Sequence, residues 1–106
     1  MSKNINTDAV NGFFEAILTL QDKDECFRFF EDVCTINELL SISQRFEVAR
    51  MLTADCTYLD IAEKTGASTA TISRVNRSLQ YGKDGYALVF GRMEKPPYDS
   101  SRKSEK

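Results

Sequence analysis

The sequence predicts an all-α fold of about six helices carrying a helix-turn-helix. Apolar residues recur at three- and four-residue steps, and strict polar–apolar alternation is nowhere sustained. Both prolines, Pro96 and Pro97, lie near the end of the 106-residue chain. Nothing upstream of them blocks a helix through a fixed φ or a missing N–H.

The first helix is expected from about Asp8 to Leu20, where Val10, Phe13, Phe14, Ile17 and Leu18 form one apolar stripe. Gly12 inside it costs up to ~1 kcal/mol relative to alanine. The second begins near Asp22, where Asp22-x-x-Glu25 has the form of a capping box, and it presents Cys26, Phe29, Phe30, Val33 and Cys34. Thr35-x-x-Glu38 is a cleaner box, in which hydroxyl and carboxylate each satisfy an exposed backbone N–H. It opens a long third helix to about Ala54, with Leu39, Ile42, Phe46, Ala49 and Leu52 as its main stripe and Leu40, Val48 and Met51 beside it. Thr57 caps a short fourth helix, Tyr58 to Thr65, which Gly66 ends by tolerating left-handed geometry. Ser68 caps a fifth that runs to about Tyr81. After a loop through Gly82 and Gly85, residues 86–93 form a last short helix. Residues 94–106, with both prolines, three serines and seven charges, read as a disordered tail behind a single domain of residues 1–93.

Composition excludes several kinds of chemistry. Without histidine there is no Ser-His-Asp or Cys-His nucleophile system, no imidazole acid or base and no His-ligated metal. The cysteines, Cys26, Cys34 and Cys56, are odd in number and lack a C-x-x-C pair, so neither a disulfide framework nor a zinc site is indicated. A reducing cytoplasm is the expected compartment. No signal peptide follows Met1, and no stretch approaches the ~18 apolar residues of a membrane span. Asp55, Asp60 and Glu63 do not make a paired acid/base site, and Cys56 has no histidine base. An enzyme is therefore not expected, and neither a catalytic residue, a cofactor nor a metal is assigned.

Residues 58–77 carry the most information. Two helices joined by a three- to four-residue turn have the layout of a helix-turn-helix. Ala62 is small where the second helix passes close, Gly66 opens the turn, and Ile61, Ile72 and Val75 lock the pair together. With Ile72, Val75 and Leu79 turned inward, Thr69, Ala70, Thr71, Ser73, Arg74 and Arg77 remain exposed. No charge occurs from Ala67 to Ser73. A small, polar helix start suits entry into the major groove: threonine methyls and alanine meet thymine methyls, and hydroxyls bond base edges. The N–H groups at the helix start, around Ser68, can also receive a phosphate.

The pI of about 5.1 argues at first against nucleic acid. The charge is unevenly spread, however. Residues 1–40 hold three Lys/Arg against eight Asp/Glu, a net −5, whereas residues 41–106 hold eleven against eight, a net +3. The acidity lies away from the helix-turn-helix. A sequence-specific DNA-binding regulator is the leading reading. The alternative is a protein-interaction module built on the same scaffold.

The run Glu38-Leu39-Leu40 through Arg50-Met51-Leu52, the segment Ile61-Ala62-Glu63-Lys64-Thr65-Gly66-Ala67-Ser68-Thr69-Ala70-Thr71-Ile72-Ser73-Arg74 and the pair Ser78-Leu79 resemble the tryptophan repressor family. Within that family the chain is similar to the TrpR-related YerC/YecD group over about residues 10–92. The resemblance implies an intertwined all-helical homodimer acting as a transcriptional repressor on double-stranded DNA. The aromatic content agrees independently, because Phe13, Phe14, Phe27, Phe29, Phe30 and Phe46 are too many rings for one small monomeric bundle. The resemblance puts base-facing positions at Thr69, Ala70, Thr71 and Ser73, contacts from the preceding helix at Leu59 and Ala62, and the phosphate path near Asn76, Arg77 and Gln80. Leu59 stands where the family has a basic residue. The family's tryptophan pocket maps onto Gln44, Arg74 and Ser78. Gln44 replaces one of its two guanidinium groups, and Val75 replaces the glycine that makes room for the indole. Tryptophan dependence is therefore not expected, and any other small-molecule effector is left open.

Overall fold

The computed structural model describes residues 4–93. The tail expected over 94–106 lies outside them. The described residues form six helices and no strand: α1 (Asp8–Ile17), α2 (Lys23–Val33), α3 (Ile36–Thr53), α4 (Tyr58–Thr65), α5 (Thr69–Tyr81) and α6 (Gly85–Arg92). The chain divides into two compact units, with the boundary inside α3 between Leu39 and Leu40.

In the first unit, the Thr7 hydroxyl caps α1 by accepting the Val10 N–H at 3.2 Å. The helix stops at Ile17 rather than continuing to Leu20. The backbone tightens there, with the Thr19 N–H bonding Ala16 O at 3.1 Å. The Thr19 hydroxyl donates to the same carbonyl at 2.7 Å. Such local side-chain bonding competes with the helical ladder. At α2 the Asp22 carboxylate accepts the Glu25 N–H at 2.9 Å. The return bond differs from the expected box, because Glu25 accepts the N–H of Gln21, one residue earlier. Phe13 stacks on Phe29 at 5.9 Å between centroids, and Phe29 meets Phe30 edge-on at 5.5 Å. These are favourable ring geometries. Yet neither α1 nor α2 contains a buried residue, and Leu18 is 82% exposed. The Thr35–Glu38 box forms as expected. Glu38 N–H donates to the Thr35 hydroxyl at 3.0 Å, and Thr35 N–H donates to the Glu38 carboxylate at 2.9 Å.

The second unit holds the core. Val48, Ala49 and Met51 of α3 pack with Cys56, Ile61 of α4, Ala67, Ile72 and Val75 of α5, and Phe90 of α6. Phe46, Leu52, Ala62, Leu79 and Tyr86 surround them, half-buried. The wide apolar surface expected of α3 is enclosed over its second half only. Val48, Ala49 and Met51 are buried and Phe46 and Leu52 half-buried, while Leu40 and Ile42 in the first half are exposed. Helix periodicity identifies the apolar rows and does not say how far along the helix they are covered. Phe46 and Phe90, 5.2 Å apart, join α3 to α6, with Tyr86 stacked 6.0 Å from Phe90. Helix α6 begins and ends one residue earlier than expected, after a left-handed Asp84.

Candidate nucleic-acid interface

Local bonding builds the helix-turn-helix from its caps. The Thr57 hydroxyl accepts the Asp60 N–H at 3.1 Å and starts α4. Gly66 ends it in the left-handed region at φ +75°, with its N–H on Ala62 O at 2.9 Å. The Thr65 hydroxyl donates to Ile61 O at 2.7 Å and accepts the Ala67 N–H at 3.1 Å, so one side chain bonds both arms of the turn. Ala67 follows directly into the core. At Ser68 the hydroxyl accepts the Thr71 N–H at 3.1 Å and donates to the Thr71 hydroxyl at 3.2 Å. The backbone groups that a three-residue turn would otherwise strand are therefore largely paired.

Burial then sets which face of α5 is free. Ile72 is fully enclosed and Val75 is 2% exposed. At about 100° per residue these two and Leu79 define the inner face, which leaves Ala70, Ser73, Arg74 and Arg77 outermost. Thr69, Asn76 and Gln80 line one flank, and Thr71 and Ser78 the other. Of the positions predicted from sequence, Leu59, Ser68, Thr69, Ala70, Ser73, Arg77 and Gln80 are exposed, whereas Ala62, Thr71 and Asn76 are half-buried. Helices α4 and α5 bring all ten into one unit. Leu59 is 70% exposed, a large apolar side chain beside a small polar surface. Neither Arg74 nor Arg77 has a salt-bridge or hydrogen-bond partner among the described residues, so both guanidinium groups stand free at the outer face.

The three predicted ligand-pocket residues are not gathered in the same way. The Gln44 amide donates to Thr65 O at 3.1 Å, which ties α3 to the last turn of α4. Arg74 is exposed on the outer face. Ser78 lines an open groove of about 440 Å³ with Phe46, Gly82, Lys83, Gly85, Tyr86 and Val89. Among the described residues no cluster of His, Cys, Asp or Glu could hold a metal ion. No described helix is long and apolar enough to cross a membrane.

Sequence reasoning missed Tyr58. It is the first residue of α4, and its hydroxyl accepts a hydrogen bond from the Asn76 amide of α5 at 3.3 Å. The available signal was an aromatic residue with a polar tip directly after an N-cap. Also missed was Thr65, whose place before Gly66 allows its hydroxyl to serve the turn.

The profile of the family described as Trp repressor protein matches residues 8–94. The uncharacterized protein YerC of Bacillus subtilis (strain 168) is 54% identical over 90 residues, which cover 85% of this chain and 86% of that one. The crystal structure of a TrpR-like protein from Eubacterium eligens ATCC 27750 superposes with a TM-score of 0.80 at 69% identity, covering 86% of this chain and 97% of that one. A Trp repressor candidate from Staphylococcus aureus gives 0.81 at 50% identity, covering 84% and 89%. The all-helical architecture is thus shared along nearly the whole described length, and the chain belongs to the Trp repressor protein family.

Proposed function

We propose that the protein is a homodimeric, sequence-specific DNA-binding regulator of transcription, a repressor that performs no catalysis and acts in the cytoplasm. The observation that carries this reading is the outer face of α5. It is small, polar and uncharged at its start and ends in two guanidinium groups with no partner among the described residues, on a helix anchored from behind by Ile72 and Val75. Thr69, Ala70, Thr71 and Ser73 read base edges in the major groove, with Leu59 and Ala62 approaching from α4. Arg77, Asn76 and Gln80 follow the phosphates. The Ser68 hydroxyl is already engaged by Thr71, so Ser68 contributes through its cap and backbone.

The uncovered apolar side chains of the first unit support the dimer. Phe14, Leu18, Phe27, Val33 and Ile36 are exposed with nothing buried in α1 or α2. Five large apolar side chains left exposed on so short a segment support an interface there. A second copy would cover it and place two reading heads on a roughly palindromic site.

Tryptophan is not needed in this reading. Val75 fills its place in the core, and the amide of Gln44 is committed to Thr65. Isothermal titration of the free protein with tryptophan is expected to give no binding heat.

Selection from a random duplex pool followed by fluorescence titration tests the proposal. Selected duplexes are expected to bind more tightly than scrambled ones at ~100–150 mM salt. Replacing Thr69 or Thr71 should shift the preferred bases, whereas Arg77→Ala should weaken all sequences alike. Equal affinity for selected and scrambled DNA would remove sequence specificity. Failure to bind any duplex would favour the protein-interaction reading of the same scaffold.

A further inference from the structure

We propose that Tyr58 and Asn76 form one hydrogen-bonded unit that grips a DNA backbone phosphate, with the Tyr58 hydroxyl as the phosphate ligand and Asn76 as the residue that positions it. The proposal rests on the DNA-binding reading above and adds a contact that the sequence did not suggest. The Asn76 side-chain amide donates to the Tyr58 hydroxyl at 3.3 Å, across eighteen positions of sequence and from one helix of the motif to the other. A phenol offers one O–H donor besides its acceptor lone pairs. Accepting from Asn76 leaves that hydrogen unused, and among the described residues no acceptor takes it. Tyr58 is 38% exposed, so this O–H is open to an acceptor from outside the protein.

The placement favours a phosphate over a base edge. Tyr58 opens α4, and in helix-turn-helix docking the first helix crosses the DNA backbone while the second enters the groove. Asn76 shares the α5 flank with Thr69 and Gln80, and Ser73 stands next to them, so the pair borders the reading face. An O–H donated to a phosphate oxygen is a charge-assisted bond, shorter and stronger than a neutral one. The side chain that makes it has two χ angles and is held at its tip by Asn76. Little rotamer freedom is left to lose on binding.

The test uses the full chain, a selected duplex and a scrambled one. Tyr58→Phe removes one oxygen and keeps the ring. Its affinity is expected to fall about tenfold on both duplexes alike, with the salt dependence unchanged because no cation is lost. Asn76→Ala should cause a clearly smaller loss in the Tyr58→Phe background than in the wild-type background, the difference being the part that acts through Tyr58. Ethylation interference should identify a phosphate whose modification weakens the wild type but leaves Tyr58→Phe unaffected. Circular dichroism and thermal melting confirm that each variant folds. If the wild type binds DNA and Tyr58→Phe binds equally well, with or without a lowered melting temperature, the pair is a structural tie and the proposal falls alone. If the wild type binds no duplex, the DNA-binding reading falls first and takes this proposal with it.

Discussion

Gly66 stands at φ +75°, and beyond its two chain neighbours no residue comes within 4 Å of the place a Cβ would occupy. Space is therefore not what glycine provides there. An L-residue in that conformation carries a torsional cost of roughly 1–2 kcal/mol. Gly66→Ala is expected to lower stability by about that amount in urea denaturation, with no change in the slope against denaturant. Neighbouring positions on α5 separate fold from function more sharply. Ile72 is fully enclosed in the core, and Ile72→Ala should cost about 2–5 kcal/mol through lost burial and a residual cavity. Ser73, one residue later and exposed, should change stability by no more than about 0.5 kcal/mol as Ser73→Ala. The same change should alter base preference in a selection experiment. The enclosed residues of this motif were legible in advance because spacing dictates them. The Tyr58–Asn76 bond was not, because it depends on how closely two helices approach, and sequence separation does not report that.

Helix ends were the most readable features of the elements. Thr35 with Glu38, Thr57 with Asp60 and Ser68 with Thr71 all make the expected bonds, because an N-cap is a contact across three residues and needs no tertiary partner. Thr35→Ala should accordingly cost about 1 kcal/mol, read as a shift in the denaturation midpoint, and Thr35→Ser should recover most of it. The faces of the helices were less readable. Helix α3 is apolar over a wide arc along its length, yet only the turns from Phe46 to Leu52 are covered, with Leu40 and Ile42 exposed. Nothing in the spacing within α3 marks that limit. It is set by Ile61, Ile72 and Val75, which arrive from elsewhere in the chain. Gln44 shows the same dependence, since its bond to Thr65 O exists only because α4 ends beside α3.

For the whole molecule, charge and apolar surface divide the labour. The net −5 of residues 1–40 accompanies helices with no buried residue, whereas the net +3 of residues 41–106 accompanies the core and the outer face of α5. In the proposed dimer the net negative charge lies on the part that carries the interface, away from the proposed DNA-binding face. Sedimentation should show a dimer, and the melting temperature should rise with protein concentration. Phe27→Glu, which puts a charge on an exposed ring position of α2, should shift the equilibrium toward monomer and remove the concentration dependence. Binding to DNA should weaken with salt only modestly. Arg77→Ala should reduce the slope of log K against log salt by about one unit for each phosphate that this guanidinium neutralises.

Local chemistry written in the sequence was enough for the six helices, the caps at Thr35, Thr57 and Ser68, the left-handed turn at Gly66 and the polar start of α5, since each is settled within three or four residues of chain. It also sufficed to exclude imidazole chemistry, because there is no histidine. Packing settled how much of α3 is enclosed, that Gln44 braces α4, and that Tyr58 meets Asn76. These contacts join residues far apart in the chain, and their existence depends on interhelical distance and angle. Those quantities come from the sum of all the contacts in the core and from no single segment.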